Sequence, residues 1–261
     1  MSYAVAFLVA LVATLAAGAA TFVIQKRFPF DQRRRSHDVG SVVFLQFGVV
    51  FAVLLAFVFS GAWSEYNDAA QATTLEAGAL HGAAMLAAAL PPQDAQRFLR
   101  AELDYVEAVV DVEWPAMERL RDEDLATDGK LRAAIAGLAA LRGLDADGRD
   151  ARNMIQTLLT DAHARREMRI YEARNGIPIV LWIVLIAMAA ALTLSVSFSA
   201  MENAAVALLV ASAFALGVAG IMIVARLLDY PYEGALLQPP TDFLVLRGKL
   251  AALLASAVPP P

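Results

Sequence analysis

The sequence predicts an all-α integral membrane protein, and three observations support this fold class. Apolar residues make up 59% of the 261 residues and charged residues only 18%, against about 45–50% and 25% in soluble domains. Four long apolar runs occur in two pairs, and each run has about 20 residues, enough to cross a ~30 Å hydrocarbon core as a helix. Residues 64–175, with 20 acidic and 13 basic side chains, separate the two pairs.

The four runs predict membrane spans at roughly residues 3–24, 40–63, 176–198 and 203–228. None contains Asp, Glu, Lys or Arg, apart from Arg226 at the end of the fourth. The first run is predicted to stay in the protein rather than be cleaved as a signal peptide, because its basic residues follow the apolar core instead of preceding it.

The spans define the predicted domain organisation. Residues 1–63 form one transmembrane hairpin and residues 176–228 a second. Residues 64–175 form a helical soluble domain inserted between spans 2 and 3, because they show no alternating strand pattern and few helix breakers. Residues 229–261 form a tail whose predicted helix, at residues 242–257, places its apolar side chains on one face. That face is predicted to lie on the membrane surface or to pack on the central domain.

Within the central segment, prolines and acidic residues mark the predicted helix boundaries. The second span continues as an alanine-rich helix until Pro91 and Pro92 end it. Pro115 is expected to kink the next helix or to begin a new one. Asp128 is expected to cap a helix, and residues 150–174 are expected to form a last helix that leads into the third span.

Basic residues bear on the orientation of the chain in the membrane. The first loop, residues 25–39, carries five basic and two acidic residues. Because basic residues in short loops favour the cytoplasmic side, this count favours a cytoplasmic first loop and a central domain outside. The cluster Arg33-Arg34-Arg35 lies beside a span, so it is interpreted as a topology signal or a contact to anionic lipid rather than to nucleic acid.

The sequence gives no sign of an enzyme. It has no glycine-rich phosphate loop, no Gly-x-Ser-x-Gly elbow and no His-Glu-x-x-His pattern. It has no cysteine, and its three histidines are far apart in sequence. We therefore predict no catalytic residues, no cofactor and no metal site.

The second span carries the candidate functional residues. Apolar side chains recur along it at helical spacing, and in an oligomer one such stripe from each subunit could form a hydrophobic neck that gates a pore by dewetting. The competing interpretation is that these side chains face lipid or neighbouring helices. The pore-lining candidates are Phe44, Phe47, Phe51, Leu54 and Val58, together with the polar Gln46.

Three short motifs suggest a family. They are Glu113-Trp114-Pro115 in the central segment, Trp182 early in the third span, and the run from Leu228 to Gly234, which reads Leu-Asp-Tyr-Pro-Tyr-Glu-Gly. With the two-plus-two arrangement of spans, they resemble the bacterial bestrophin-like membrane proteins. Within that run the resemblance assigns structural roles to Asp229, Pro231, Tyr232 and Gly234. Tyr232 stands where the family pattern has phenylalanine.

The resemblance implies a multi-pass protein of the bacterial inner membrane that forms a homo-oligomer, as the pentameric bestrophins do, with the second span lining an ion pathway. It also implies a cytosolic central domain, which is opposite to the orientation that the loop charges favour. The leading hypothesis is an oligomeric ion channel whose partners are the bilayer, further copies of the chain and inorganic ions. The alternative is a membrane-anchored scaffold or sensor whose acidic helical domain binds a protein partner.

Overall fold

A computed structural model describes residues 1–35 and 37–256, and these residues fold entirely into helices and connecting turns. Ser36 of the predicted first loop and residues 257–261 of the predicted tail lie outside the described residues. The helices are α1 (Tyr3–Arg27), α2 (Phe30–Arg35), α3 (His37–Leu86), α4 (Pro92–Ala108), α5 (Trp114–Leu120), α6 (Leu125–Ala139), α7 (Ala146–Arg174), α8 (Ile179–Ser197), α9 (Ala204–Leu228) and α10 (Thr241–Ser256).

Four helical stretches are long and apolar enough to cross a membrane, judged by length and composition: Tyr3–Arg27, Gly40–Ala89, Ala146–Ser197 and Ala204–Leu228. They contain the four predicted spans. Within the third stretch the uncharged part is α8. Polar side chains cap two of these helices, since Ser2 accepts a hydrogen bond from the Val5 amide and Asn203 accepts bonds from the first turn of α9.

The chain divides into two compact units. Unit 1 comprises Met1–Glu65 and Gly176–Asp229, and unit 2 comprises Tyr66–Asn175 and Tyr230–Pro261. In unit 1, α1 packs along α9 and both contact α8. Small buried residues at these contacts, including Ala17 and Ala211, let the helix backbones approach closely. A hydrogen bond of 2.9 Å joins the Thr21 and Ser197 hydroxyls between α1 and α8.

Unit 2 has an apolar core, to which α4, α6, α7 and α10 all contribute. Helix α4 packs against both α6 and α10. Helix α10 buries Phe243, Leu246 and Leu250 in this core. Of the two positions considered for the tail helix, the structure therefore shows packing on the helical core of unit 2.

Several predicted boundaries differ from the observed ones. The cap of α6 is Asp124, which accepts a hydrogen bond from the Thr127 amide, and not Asp128 as predicted. The aspartate that precedes the first helical residue has the capping geometry, whereas Asp128 lies one turn further on and its carboxylate is used elsewhere. Helix α7 starts earlier than predicted, because Asp145 caps it through the Gly148 amide. It does not run into α8, since the segment ending at Pro178 breaks the helix.

Candidate functional site

The six pore-lining candidates of α3 lie on different faces of that helix. Phe51 and Val58 are buried by the chain's own side chains, with 6% and 2% of their surface exposed. Phe44 is half-buried, and its ring packs at 6.2 Å from that of Phe214 in α9. By contrast, Phe47 is 46% exposed.

Gln46 is also exposed, and Leu54 is partly exposed. A side chain can line a lumen between subunits only if its own chain leaves it uncovered. The structure therefore makes Gln46, Phe47 and Leu54 available to a neighbour or a lumen, and it places Phe51 and Val58 in the packing of the chain itself.

A continuous apolar stripe that sequence reasoning did not isolate runs along an uncovered flank of α3. Val50 and Phe57 are 59% and 70% exposed, and they alternate with Phe47 and Leu54 at spacings of three and four residues, which places all four on one helical face. We call Phe47, Val50, Leu54 and Phe57 the exposed stripe. Helical spacing alone could not select it, because the neighbouring stripe through Phe51 and Val58 is equally apolar.

In unit 2, Glu113 lies at the centre of a buried cluster of charges. A single π-helical turn, Val109–Glu113, joins α4 to α5 and places this carboxylate in the core. Its Oε2 accepts a hydrogen bond of 2.8 Å from Nη2 of Arg169, and its Oε1 pairs closely with Nη2 of Arg166. All three side chains are fully buried, so the glutamate neutralises charges that would be costly to bury alone.

A second buried glutamate, Glu76 of α3, completes the pairing of Arg169. The guanidinium donates from Nε to Oε2 at 2.8 Å and from Nη2 to Oε1 at 3.2 Å, the bidentate geometry that arginine prefers with a carboxylate. Tyr105 also donates to Oε1 of Glu76, at 2.5 Å. Burial, followed by the charge of Glu76, raises the pKa of Tyr105 well above its ordinary value, which keeps the phenol protonated as a donor.

Arg166 links this cluster to acidic residues nearer the surface of unit 2. Besides Glu113, it donates to Asp128 at 3.1 Å and to Glu123 at 3.2 Å. Sequence reasoning missed Glu76, Arg166 and Arg169 as cluster members. A charge in an amphipathic helix normally lies on the solvated face, and only tertiary packing shows which ones are buried.

Trp114 of the Glu113-Trp114-Pro115 motif contacts Tyr232, which belongs to the motif that follows the fourth span. The Trp114 ring lies edge-on to Tyr232, with centroids 5.3 Å apart and planes at 89°. Its Nε1 donates to the backbone oxygen of Gln238 at 3.0 Å. The guanidinium of Arg169 lies 5.3 Å from the Trp114 ring, so the aromatic contact and the charge cluster are joined through one side chain.

The remaining motif residues of unit 2 shape the chain around this contact. Pro115 lies in the first turn of α5, where proline is tolerated. Pro231 is buried, and its carbonyl oxygen accepts a hydrogen bond of 2.8 Å from the Gln238 amide. Gly234 has φ of 86°, a conformation that favours glycine. The Tyr232 hydroxyl lies 3.1 Å from both the Thr73 hydroxyl and the Ala69 carbonyl oxygen.

The other two motif residues, Trp182 and Asp229, belong to unit 1. Asp229 is buried, accepts a hydrogen bond of 2.7 Å from the Ile177 amide, and pairs with Arg226 at 3.4 Å. It therefore ties the start of the second hairpin to its end. Trp182 is also buried, at 8% exposure. The motif residues thus hold backbone segments together, and those of unit 2 converge on one buried cluster.

One group in the described part of the chain has the composition of a metal site, namely Asp128, His163 and Glu167. Two arginines already engage this donor set. Arg166 donates to Asp128 at 3.1 Å and to Glu167 at 3.3 Å, and Arg132 also pairs with Asp128. A divalent cation there would meet the charge of Arg166 at close range, so the arrangement fits an ion-pair cluster better than a metal centre.

Fold and site together define a class of protein: a helical membrane protein with four apolar spans and a buried ion-pair cluster in its second unit. The family model for the bestrophin-like domain matches residues 9–237. The chain belongs to the bestrophin-like family.

Solved structures share the fold at low sequence identity. A crystal structure of a variant of a bacterial bestrophin homologue from Klebsiella pneumoniae is 14% identical, covers 95% of this chain and 98% of its own, and superposes with a TM-score of 0.75. A second structure of that homologue, phased with zinc, is 14% identical with a TM-score of 0.74 and covers 94% of this chain and 98% of its own. A crystal structure described only as a membrane protein variant is 11% identical with a TM-score of 0.76, covering 94% and 98%. No curated protein sequence matches the chain.

Proposed function

We propose that the chain assembles into a homo-oligomeric ion channel of the bacterial inner membrane, in which α3 lines the pore. The observation that carries the proposal is the exposed stripe. Three of its four members, Phe47, Val50 and Phe57, have 46–70% of their surface uncovered by the chain itself. Membership of the bestrophin-like family supports the same conclusion, because the resemblance of the motifs implies an ion pathway along the second span.

The proposal requires several copies of the chain. One helix cannot enclose a lumen, so the exposed stripe would form a ring only when copies assemble around an axis. A pentamer, as in bestrophins, is the expected state. In that ring the large apolar side chains would make a narrow, poorly wetted neck, and water and ions would pass when the neck widens.

The buried stripe has a supporting role in this proposal. Phe51 and Val58 pack within the chain, and so hold α3 in a fixed rotation with the exposed stripe directed away from the chain's own core. Helix α3 also carries Glu76, the bidentate partner of Arg169. One helix therefore contains both the proposed neck and an anchor in the charge cluster.

Unit 2, in this proposal, is the helical domain inserted between spans 2 and 3 and lies outside the bilayer. Its helices α4 and α7 carry many charges, and its buried arginines Arg166 and Arg169 are paired with carboxylates. The loop charges favour placing it outside the cell, and the family resemblance favours the cytosol. Because the chain has no cysteine, a single introduced cysteine can decide. Asp147→Cys, in the exposed first turn of α7, reacts with a membrane-impermeant maleimide in intact spheroplasts only if unit 2 is outside.

Conductance of the purified protein in planar bilayers tests the channel. We expect Phe47→Ala and Leu54→Ala to increase the single-channel current, because a smaller side chain widens and wets the neck. The matched control is Leu45→Ala, since Leu45 is 67% exposed but lies on the side of α3 opposite to the exposed stripe. Silent bilayers over a range of ions and pH would rule the channel out. A monomer in native mass spectrometry would favour the anchored scaffold instead.

A further inference from the structure

Arg33 is a buried cation in unit 1 that donates hydrogen bonds to three backbone carbonyl oxygens. The side chain is 7% exposed. Its Nε donates to the Phe28 carbonyl oxygen at 3.2 Å, Nη1 donates to Ser199 at 2.7 Å, and Nη2 donates to Met201 at 3.5 Å. Arg33 thus holds the end of α1 against the turn that follows α8.

These contacts do not neutralise the guanidinium. Carbonyl groups at helix ends carry only partial negative charge, and no acidic side chain among those the structure describes pairs with Arg33. Arginine has five N–H donors, so three bonds to carbonyls leave donor capacity. A buried charge is normally paired, as Arg166 and Arg169 are. Among the side chains that the structure describes, none supplies the anion that the burial of Arg33 calls for.

A cavity of about 670 Å³ opens beside this arginine. Arg33, Gln32 and Ser199 supply its polar end, and Phe44, Leu194 and Phe198 supply an apolar wall. The apolar wall belongs to residues at the ends of the membrane spans. The cavity thus combines a buried cation with an apolar surface. An anionic phospholipid carries the two matching groups, a negatively charged phosphate and an apolar acyl chain.

We propose that this cavity binds a phosphate group on Arg33. Arginine suits this ligand, because its planar fork can make two charge-assisted hydrogen bonds to phosphate oxygens. The group can come from an anionic phospholipid, whose acyl chain would follow the apolar wall, or from free inorganic phosphate. Arg34 and Arg35, exposed on the same short helix, add positive potential that attracts either source. The proposal does not depend on ion conduction.

Lipid binding to the full-length protein tests the site. Protein purified in neutral detergent is mixed with phosphatidylglycerol or phosphatidylcholine, and bound lipid is counted by native mass spectrometry. We expect Arg33→Gln to weaken phosphatidylglycerol binding by roughly tenfold, the equivalent of one lost charge-assisted hydrogen bond. Arg34→Gln makes the same change of charge at an exposed neighbour and is expected to bind like the wild type.

Two further measurements separate the phosphate sources and guard against misfolding. Val43, 54% exposed, also lines the cavity, and Val43→Trp fills it without removing any bond of Arg33. Loss of phosphatidylglycerol in Val43→Trp identifies the lipid as the ligand. Thermal protection of the wild type, but not of Arg33→Gln, by inorganic phosphate over chloride identifies the free anion. The proposal is overturned if neither ligand is preferred by the wild type, or if Arg33→Gln and Arg34→Gln lose binding equally.

Discussion

The two units of this chain bury different kinds of side chain at their main helix contacts. At the α1–α9 contact of unit 1, small apolar residues such as Ala17 and Ala211 are buried and allow close backbone contact. Unit 2 instead buries Glu76, Glu113, Arg166 and Arg169 completely. Close packing of small residues thus dominates the α1–α9 contact of unit 1, as expected for helices in lipid, whereas the core of unit 2 contains a network of paired charges.

This difference predicts which substitutions should reduce the stability of the protein most. Removing a methyl group or a charge at the surface of either unit costs little. Removing one member of a fully buried ion pair leaves its partner uncompensated, which is among the most costly single changes in a protein. We therefore expect the largest effects in unit 2, although unit 1 is the more apolar of the two.

Glu113→Ala should give the largest loss of stability. It leaves Arg166 and Arg169 short of their shared carboxylate, and we expect the free energy of unfolding to fall by about 3–5 kcal/mol. Denaturation in detergent, followed by tryptophan fluorescence, measures the change. Glu118→Ala on α5 is the control, because Glu118 is exposed. Equal effects of the two substitutions would show that the buried cluster is not a determinant of stability.

Glu102 gives unit 2 a dependence on pH. This residue of α4 is 1% exposed, and neither carboxyl oxygen has a hydrogen-bond partner in the described residues. Burial raises the pKa of the Glu102 carboxyl well above its ordinary value. The unfolded chain therefore releases this proton at a lower pH than the folded protein does, and stability falls as pH rises from the ordinary carboxyl range toward the folded pKa.

Glu102→Gln removes this titration, so the melting temperature should lose that decline with rising pH. Glu107→Gln, at an exposed position of the same helix, should keep the wild-type dependence. The measurement is a series of thermal melts from pH 4 to pH 9 on the order of one unit apart, a window that begins near the ordinary carboxyl pKa and extends upward from it. A wild-type curve no steeper than that of Glu102→Gln would contradict the assignment.

Overpacking tests unit 1. Ala211 of α9 has no exposed surface, so Ala211→Leu must push neighbouring side chains or backbone apart and should destabilise by about 1–3 kcal/mol. Ala205→Leu adds the same volume at an exposed position of α9 and should be close to neutral. If the buried substitution is as mild as the exposed one, close helix packing does not specify unit 1.

The smallest expected effect comes from the hydroxyl of Tyr232. Tyr232→Phe keeps the edge-on ring contact with Trp114 but loses the hydrogen bonds to Thr73 and Ala69, so a cost of about 0.5–1.5 kcal/mol is expected. A double-mutant cycle with Thr73→Val isolates the Thr73 part. Strict additivity of the two substitutions would mean that the two hydroxyls are not coupled.

The sequence made some of these features predictable and left others open. The length and apolarity of the four runs predicted the four spans. Pro91 and Pro92 predicted the end of the helix that continues the second span. The sequence predicted Asp128 as the cap of α6, but Asp124 lies one turn earlier and is an equally suitable capping residue. Only the backbone geometry shows that Asp124 occupies that position and that Asp128 pairs with Arg166 instead.

The functional residues divide in the same way. The aromatic residues of the second span were identified from their spacing. The direction in which each side chain faces was not, because several sides of α3 are equally apolar. The sequence motifs identified Glu113, Trp114 and Tyr232 one by one. They did not predict that these residues and Arg169 lie in one cluster, because the cluster joins positions far apart in the chain. Arg33 was read only as part of a basic cluster, although its burial distinguishes it from Arg34 and Arg35.

By itself, the sequence determined that this is a helical membrane protein of the bestrophin-like family, because span length, apolarity and short motifs are local properties of the chain. The tertiary structure decided which charges are buried, which flank of α3 is left uncovered and which arginine faces a cavity. These properties depend on contacts between residues that are distant in sequence. A helix with charges or apolar groups on several faces could make more than one set of such contacts, so its sequence pattern does not select one.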